Sequence, residues 1–450
     1  MNNEQFVEAI TPWLSPNEGP LRAHLTLAIR QAISTGQLAQ GVRLPPERTL
    51  AVALHVSRPT ISGVVEDLRT AGLISSRQGS GSWVSGEAEL TRPAVPFVER
   101  VQATGSIDLA SATAPDASLL PAMRIDTSDL LGAEPANGLT PVGLWNVRTA
   151  IAERASRFVP TAPDNVIVTS GAHQALALVI AALAPQGSTV LLEETTYGGL
   201  VDMVHVNGSH PIGIPRDADG PVPDVLRDLI TKHRPSLIVL VSSVHSPTGV
   251  VSSPERCLDL AEVLRGIDAR VVLDETYAEL EFNPAGRPLS VALGPASIRT
   301  GSLSKSLWTG LRTGWIITDA ATGAAIARRR WQQFDLGPSV PSQLFAASAL
   351  VDLDDRLDQR RSHLLERSMW MMQRIAHDFP DWQVQKLDGG LALWVELPVD
   401  GEEYATFAES RGVALLPGSA CRVDQRATPH IRICFDRPVD VLEQAFERLT

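Results

Sequence analysis

Five short apolar runs recur along the middle of the chain, at 166–169 (VIVT), 190–193 (VLLE), 237–241 (LIVLV), 271–274 (VVLD) and 298–302 (IRTGS). Runs this short suit strands covered on both faces. The stretches between them carry helical patterning and are long enough for crossover connections, which parallel strands require. The alternation therefore predicts an α/β unit with a mostly parallel sheet. After about Leu336 a long helical stretch leads into a smaller α+β part with strands near 391–397 and 430–435, and no internal repeat is evident.

The first 86 residues have a different pattern. Leu21, Leu25, Ala28, Ile29 and Ala32 recur at helical spacing, with Gly36 as a stop. Pro45-Pro46-Glu47 opens a second helix through Leu54. Ser57 is the N-cap of a third, with Pro59 in its first turn and Gly72 past its end. Leu73-Ile74 and Trp83-Val84 then flank a glycine-rich turn, Arg77-Gln78-Gly79-Ser80-Gly81. Prolines and charges dominate 87–106, which reads as a linker. The expected organisation is a winged helix-turn-helix domain over 1–86, a linker over 87–106, and a unit over 107–450 whose large part ends near 335 and whose small part covers 336–450.

Charge sharpens this division. The chain of 450 residues carries a formal net charge of −12, which taken whole disfavours nucleic acid. Between Pro20 and Gly86, however, seven arginines face three acids, a local +4, so the remainder carries −16. Screening limits attraction to about 8–10 Å, so the local balance governs phosphate contact. No run approaches the roughly 20 apolar residues of a membrane span. The N-terminus lacks the basic-then-apolar pattern of a signal peptide. Cys257, Cys421 and Cys434 are scattered, without a CxxC pair, so no disulfide framework or metal site is expected and a cytoplasmic setting fits.

The segment GVRLPPERTLAVALHVSRPTISGVVEDLRTAGLISSRQGSGSWV resembles the winged-helix domain of the GntR regulators. Its successive features are GxxLPxER, LxVSRxT, LxxxGLI and a GxG wing. A helix-turn-helix places its second helix in the major groove with N-terminal side chains at base edges. That helix begins Ser57-Arg58-Pro59-Thr60, and an arginine fork can read guanine. The resemblance implies double-stranded DNA as partner and Arg48, Ser57, Arg58, Thr60, Gln78 and Gly79 as contacts. Solvated helix residues are the alternative for Arg48 and Arg58. Ser62, where relatives often carry a longer polar or basic side chain, is the weakest position of the match.

Lysine is nearly absent from the chain: only Lys232, Lys305 and Lys386 occur. Lys305 lies in SLSKSLWTGLRTG, where serine hydroxyls and an arginine can hold a phosphate and the lysine can form a Schiff base with an aldehyde. From about residue 107 onward the chain resembles fold-type I aminotransferases. This implies pyridoxal 5'-phosphate bound to Lys305, with Ser302, Ser304 and Arg312 at its phosphate. Ser170-Gly171-Ala172-His173 forms the strand-to-helix cradle in this likeness. Asp274 matches the acid that pairs with the ring nitrogen, and Tyr277 the phenol that bonds the ring hydroxyl. Tyr197 matches the aromatic that stacks on the ring, with a core role as the alternative. Arg432 matches the fork that clamps an α-carboxylate, the alternative being a structural salt bridge. Ser246-Pro247-Thr248-Gly249 departs from the usual Asn-Pro-x-Gly; serine is shorter, and a weaker hold on the ring hydroxyl argues against efficient transamination.

Both likenesses in this order resemble the MocR subgroup of the GntR regulators. That resemblance implies a homodimer, an operator of repeated half-sites, and promoter binding modulated by pyridoxal phosphate or by an amino-compound aldimine at Lys305. An active aminotransferase with an accessory DNA-binding domain is the alternative.

Overall fold

The computed structural model describes residues 3–11, 21–34, 38, 41–54, 56–70, 73–77, 81–84, 97–101, 106–132, 137–284 and 286–450. They form two compact units, Met1–Val95 and Pro96–Thr450.

In the first unit the helices Leu21–Ser34, Glu47–Ala53 and Arg58–Thr70 are followed by an antiparallel hairpin, Ile74–Arg77 with Gly81–Val84. Leu25, Ala28, Ile29 and Ala32 are buried at the expected helical spacing. They pack with Leu50, Ile61, Val64, Val65, Leu68, Ile74 and Val84 into one core. An additional helix, Asn3–Ile10, contributes Phe6 and Ile10 to that core, which the sequence pattern did not anticipate. Pro46 stands just outside the second helix, at its N-cap, where a missing N–H costs nothing. The anticipated stops at Gly36 and Gly72 and the turn residues Gln78, Gly79 and Ser80 lie outside the described residues.

The second unit is α/β. Its seven-stranded sheet runs in the order Val166–Thr169, Gly314–Ile317, Ile298–Ser302, Arg270–Asp274, Leu237–Val241, Thr189–Glu193 and His210–Ile214. All neighbours are parallel except those of Gly314–Ile317, which is antiparallel to both. Four of the five anticipated runs are buried at nearly every position, as a sheet covered on both faces demands. Sequence patterning overlooked Gly314–Ile317 and His210–Ile214; HPIGI carries a proline and a glycine, both poor strand formers. The small part is built on an antiparallel sheet of Gln383–Val384, Ala392–Glu396, His430–Cys434 and Leu416–Pro417. The 26-residue helix Leu353–Asp378 packs on its core through Leu364, Met371 and Ile375.

Parallel strands all end at one edge of a sheet, and side chains just past those ends converge. Here Asp274 closes one strand, Ser302 closes the next with Lys305 just past it, and Gly171 follows a third.

Candidate functional site

A cavity of about 630 Å³ opens at those strand ends. It is lined by Gly171, Ala172, His173, Tyr197, Ser246, Asp274, Tyr277, Ser302, Ser304, Lys305, Arg312 and Arg432. Of the residues singled out in this unit, Ser170 alone is not in the lining; its backbone N–H donates to the Gln174 side chain at 2.8 Å.

The end of the cavity expected to take a phosphate is shaped by backbone geometry. Gly171 caps the helix Ala172–Leu183 at φ 128°, a conformation that favours glycine. Gly314 permits the neighbouring strand to close in, since a side chain there would lie 2.6 Å from the Gly171 carbonyl carbon. The Arg312 guanidinium hangs over Gly171, 3.5 Å from where a side chain would begin. A twelve-residue helix presents its first N–H groups and the positive end of its dipole to the same space. The Ser304 hydroxyl is buried and finds no partner among the described residues. By contrast, Ser302 uses its hydroxyl internally, donating to the Thr313 carbonyl at 3.1 Å and accepting the Ser304 N–H at 3.0 Å. It shapes the loop that presents Ser304 and Lys305.

Lys305 donates to the Ala112 carbonyl at 2.5 Å. Burial, reinforced by the nearby Arg432 and Arg312, pushes its pKa down to about 8. Asp274 accepts from Thr276 through the backbone N–H at 2.9 Å and the hydroxyl at 2.5 Å. Burial raises its pKa and those two bonds oppose the rise. A cationic ring nitrogen beside it would favour the carboxylate further. The Tyr277 phenol is pushed up by burial, and nearby Ser246 opposes that rise. Tyr197 lies across the cavity with its pKa raised to about 12 by burial, and its hydroxyl meets His173 Nδ1 at 3.1 Å. Arg432 is 3% exposed and donates to the Ala110 carbonyl at 2.5 Å. Its Nε has no partner, and no described carboxylate pairs with it.

These groups fit pyridoxal phosphate: a lysine amine of lowered pKa, a carboxylate, a phenol, and an unpartnered hydroxyl beside a guanidinium and a helix N-terminus. Sequence reasoning missed the groups that support them. Buried His245 joins the loop of Ser246 to that of Tyr197, its Nε2 donating to the Thr195 carbonyl at 2.9 Å. Its Nδ1 faces the Thr248 hydroxyl at 2.8 Å and Arg216 at 2.9 Å, while Glu193 lies 3.3 Å from Arg216. Burial and Arg216 hold His245 well below the usual histidine range, so it is neutral. The Ala112 carbonyl and the Thr276 hydroxyl were likewise unmarked. The first belongs to an undistinguished loop, and the second is visible only beside Asp274.

In the first unit, Ser57 accepts the Thr60 N–H at 3.2 Å, and the two hydroxyls lie 2.7 Å apart, so Ser57 caps the helix Arg58–Thr70. Arg48, Ser57 and Arg58 are exposed and Thr60 is half-buried. Arg22 pairs with Asp67, and Arg69 with Glu66. Neither Arg48 nor Arg58 forms an ion pair with a described residue. Two exposed arginines without a described acidic partner, Arg48 and Arg58, thus stand on the two helices of the helix-turn-helix. Ser62 donates to Glu47 at 2.6 Å and ties those helices together.

Comparison with known proteins covers both units. The model of the aminotransferase class I and II family matches residues 106–449, and that of the bacterial regulatory proteins of the gntR family matches 21–84. The probable rhizopine catabolism regulatory protein MocR of Rhizobium meliloti is 30% identical over 66% of this chain and 65% of its own. The HTH-type pyridoxine biosynthesis transcriptional regulator PdxR of Corynebacterium glutamicum is 25% identical over 89% of this chain and 88% of its own. Among solved structures, an archaeal alanine:glyoxylate aminotransferase superposes with a TM-score of 0.68 at 25% identity, covering 76% of this chain and 89% of that one.

Proposed function

The chain belongs to the aminotransferase class I and II family with a GntR-family DNA-binding domain ahead of it, the arrangement of MocR-type regulators, and from that premise we propose a transcription regulator whose promoter binding responds to ligands at Lys305. One observation carries the reading: among the described residues, Arg48 and Arg58 on a helix-turn-helix have no acidic partner, and the same chain holds a lysine cavity whose Arg432 has none either.

Pyridoxal phosphate, when bound, supplies an aldehyde for amine capture and a ring that draws off electron density. The chain's residues do the rest. Arg312, the Ser304 hydroxyl and the N–H groups after Gly171 hold the phosphate. Asp274 would pair with the ring nitrogen, Tyr277 with Ser246 would hold the ring hydroxyl, and Tyr197 would cover the ring. Lys305 would supply the amine, and Arg432 would hold the carboxylate of an amino compound bound beside it. In the first unit Arg58 reads a base edge, while Arg48, Ser57 and Thr60 position the helix on DNA; Gln78 and Gly79 are assigned to the wing contact. Two copies fit a repeated operator, and the exposed Trp331, Phe334 and Leu336 support an interface between copies. A cytoplasmic setting accords with the DNA partner; no described helix is long and apolar enough to cross a membrane.

A ligand shifts DNA affinity only through its differential affinity for two arrangements of the protein. The test tracks absorbance and promoter DNA mobility together while pyridoxal phosphate and a panel of amino compounds are added. We expect a ligand-dependent mobility change with slow turnover or none, because Ser246 replaces the longer asparagine and about 1 Å of misplacement costs ~100-fold in rate. The second reading, an aminotransferase, is favoured by the complete set of Lys305, Asp274, Tyr277 and Arg432. Turnover of about 1–1000 per second with DNA binding indifferent to every ligand would establish it instead.

The acidity of Lys305 adds a pH prediction. Only the neutral amine attacks an aldehyde, and a pKa near 8 leaves it mostly protonated below that value. Capture of pyridoxal phosphate should therefore quicken about tenfold per pH unit below 8 and level off above it. Stopped-flow absorbance between pH 6 and 9 measures this, and a flat profile across about pH 7–8 would contradict the assignment.

A further inference from the structure

One wall of the cavity is apolar, built from Phe97, Val101, Leu176, Leu200, Met203 and Val206. The charged or titratable nitrogen and carboxylate groups among the described lining residues are His173, Asp202, Asp274, Lys305, Arg312 and Arg432. Four of these already serve the cofactor and the α-carboxylate. Asp202 accepts the Phe97 N–H at 2.6 Å. His173 bonds Tyr197, and burial with Arg312 lowers its pKa. Arg100, on the same short helix as Phe97, pairs with Glu402 at 3.3 Å. No cation among these residues is left for a second carboxylate.

Phe97 is seated firmly. It is 7% exposed, and its ring meets Tyr197 edge-on, with centroids 5.0 Å apart and planes at 82°. Gly198 makes room for it, since a side chain there would lie 2.3 Å from the ring. Ala110, Trp394, Leu416 and Ala420 complete the cluster. The tyrosine assigned to cover the cofactor ring is therefore braced by a residue from the segment expected to be linker.

We propose, resting on the pyridoxal phosphate reading above, that Phe97 and Val101 line the side-chain pocket for the effector and that this effector is an amino acid with an apolar side chain. Its α-carboxylate lies on Arg432 and its side chain on Phe97 and Val101. An acidic side chain would be buried there without a cationic partner among the described lining residues, which is strongly unfavourable. Because residues 97–101 continue directly from the chain that joins the two units, a ligand packed on Phe97 and Val101 adds contacts to the chain at that point.

Full-length protein loaded with pyridoxal phosphate, its absorption band recorded first, is titrated with L-leucine, L-alanine and L-aspartate by absorbance. Leucine should bind at least about tenfold more tightly than aspartate. Phe97→Ala should cut the leucine-over-alanine preference about tenfold, both measured on the same preparation, and Phe97→Leu should keep most of it. Amide hydrogen exchange across 97–101 should slow on adding leucine to the wild type and stay unchanged in Phe97→Ala. If no absorption band forms, the cofactor reading fails and this inference with it. If the band forms but leucine fails to bind, aspartate binds as tightly, or Phe97→Ala keeps the leucine-to-alanine ratio, the pocket assignment is overturned and the cofactor reading stands.

Discussion

Lys305→Ala is expected to abolish covalent retention of pyridoxal phosphate altogether, leaving protein that is colourless after reduction with borohydride and desalting. The wild type, treated alike, should carry one reduced adduct, on Lys305. The expectation rests on where the three lysines lie. Lys232 is exposed on the helix Pro223–His233, and Lys386 is exposed and paired with Asp388 at 2.8 Å. Neither lines the cavity. Lys305 does, beside Asp274 and within reach of the phosphate end, with its pKa lowered to about 8. At pH 7 about a tenth of such an amine is neutral, roughly a hundredfold or more above an unperturbed lysine. Peptide mass mapping after reduction is the measurement, and circular dichroism verifies that the variant is folded. An adduct on Lys232 or Lys386 in place of Lys305 would sink the assignment.

Arg58→Ala should remove the preference for the promoter over unrelated DNA. Arg58 begins the helix that Ser57 caps, it is exposed, and no described carboxylate neutralises it. Its fork is free for a guanine edge, and losing one such contact costs about 1–3 kcal/mol, or about 5- to 150-fold in affinity. Salt-dependent binding to any duplex should fall far less, because Arg43 and Arg48 remain. Mobility shifts at one fixed salt concentration, with promoter and random competitor, separate the two effects. A variant that footprints the promoter like the wild type would mean that another element reads the bases.

Whether a feature was legible in the chain depended on the kind of interaction that creates it. The strands 166–169, 237–241 and 298–302 could be read directly, because a strand buried on both faces writes its environment into a continuous run of residues. The helix-turn-helix was equally plain: a cap such as Ser57 and a stripe such as Leu25, Ala28, Ile29 and Ala32 are local patterns with fixed spacing. Lys305, Arg312 and Gly171, singled out as candidates on their local motifs, do line one cavity in the fold, because residues just past neighbouring strand ends converge. His210–Ile214 was missed because its strand character comes from neighbours that lend pairing to a sequence with little propensity of its own.

The sequence by itself determined the two units, their order, the character of the sheet and the chemistry on offer in each. The tertiary structure decided who meets whom. It placed the Ala112 carbonyl on Lys305, set His245 between two loops, joined Ser62 to Glu47, occupied the Ser302 hydroxyl within its own loop, and left Arg432 without an acid. It also brought Phe97, apparent linker, against Tyr197 a hundred residues on. Spacing along a chain records only local geometry. The partner of a buried polar group, or the wall behind an aromatic ring, is chosen by packing between segments far apart in sequence, and burial then makes that choice costly to change.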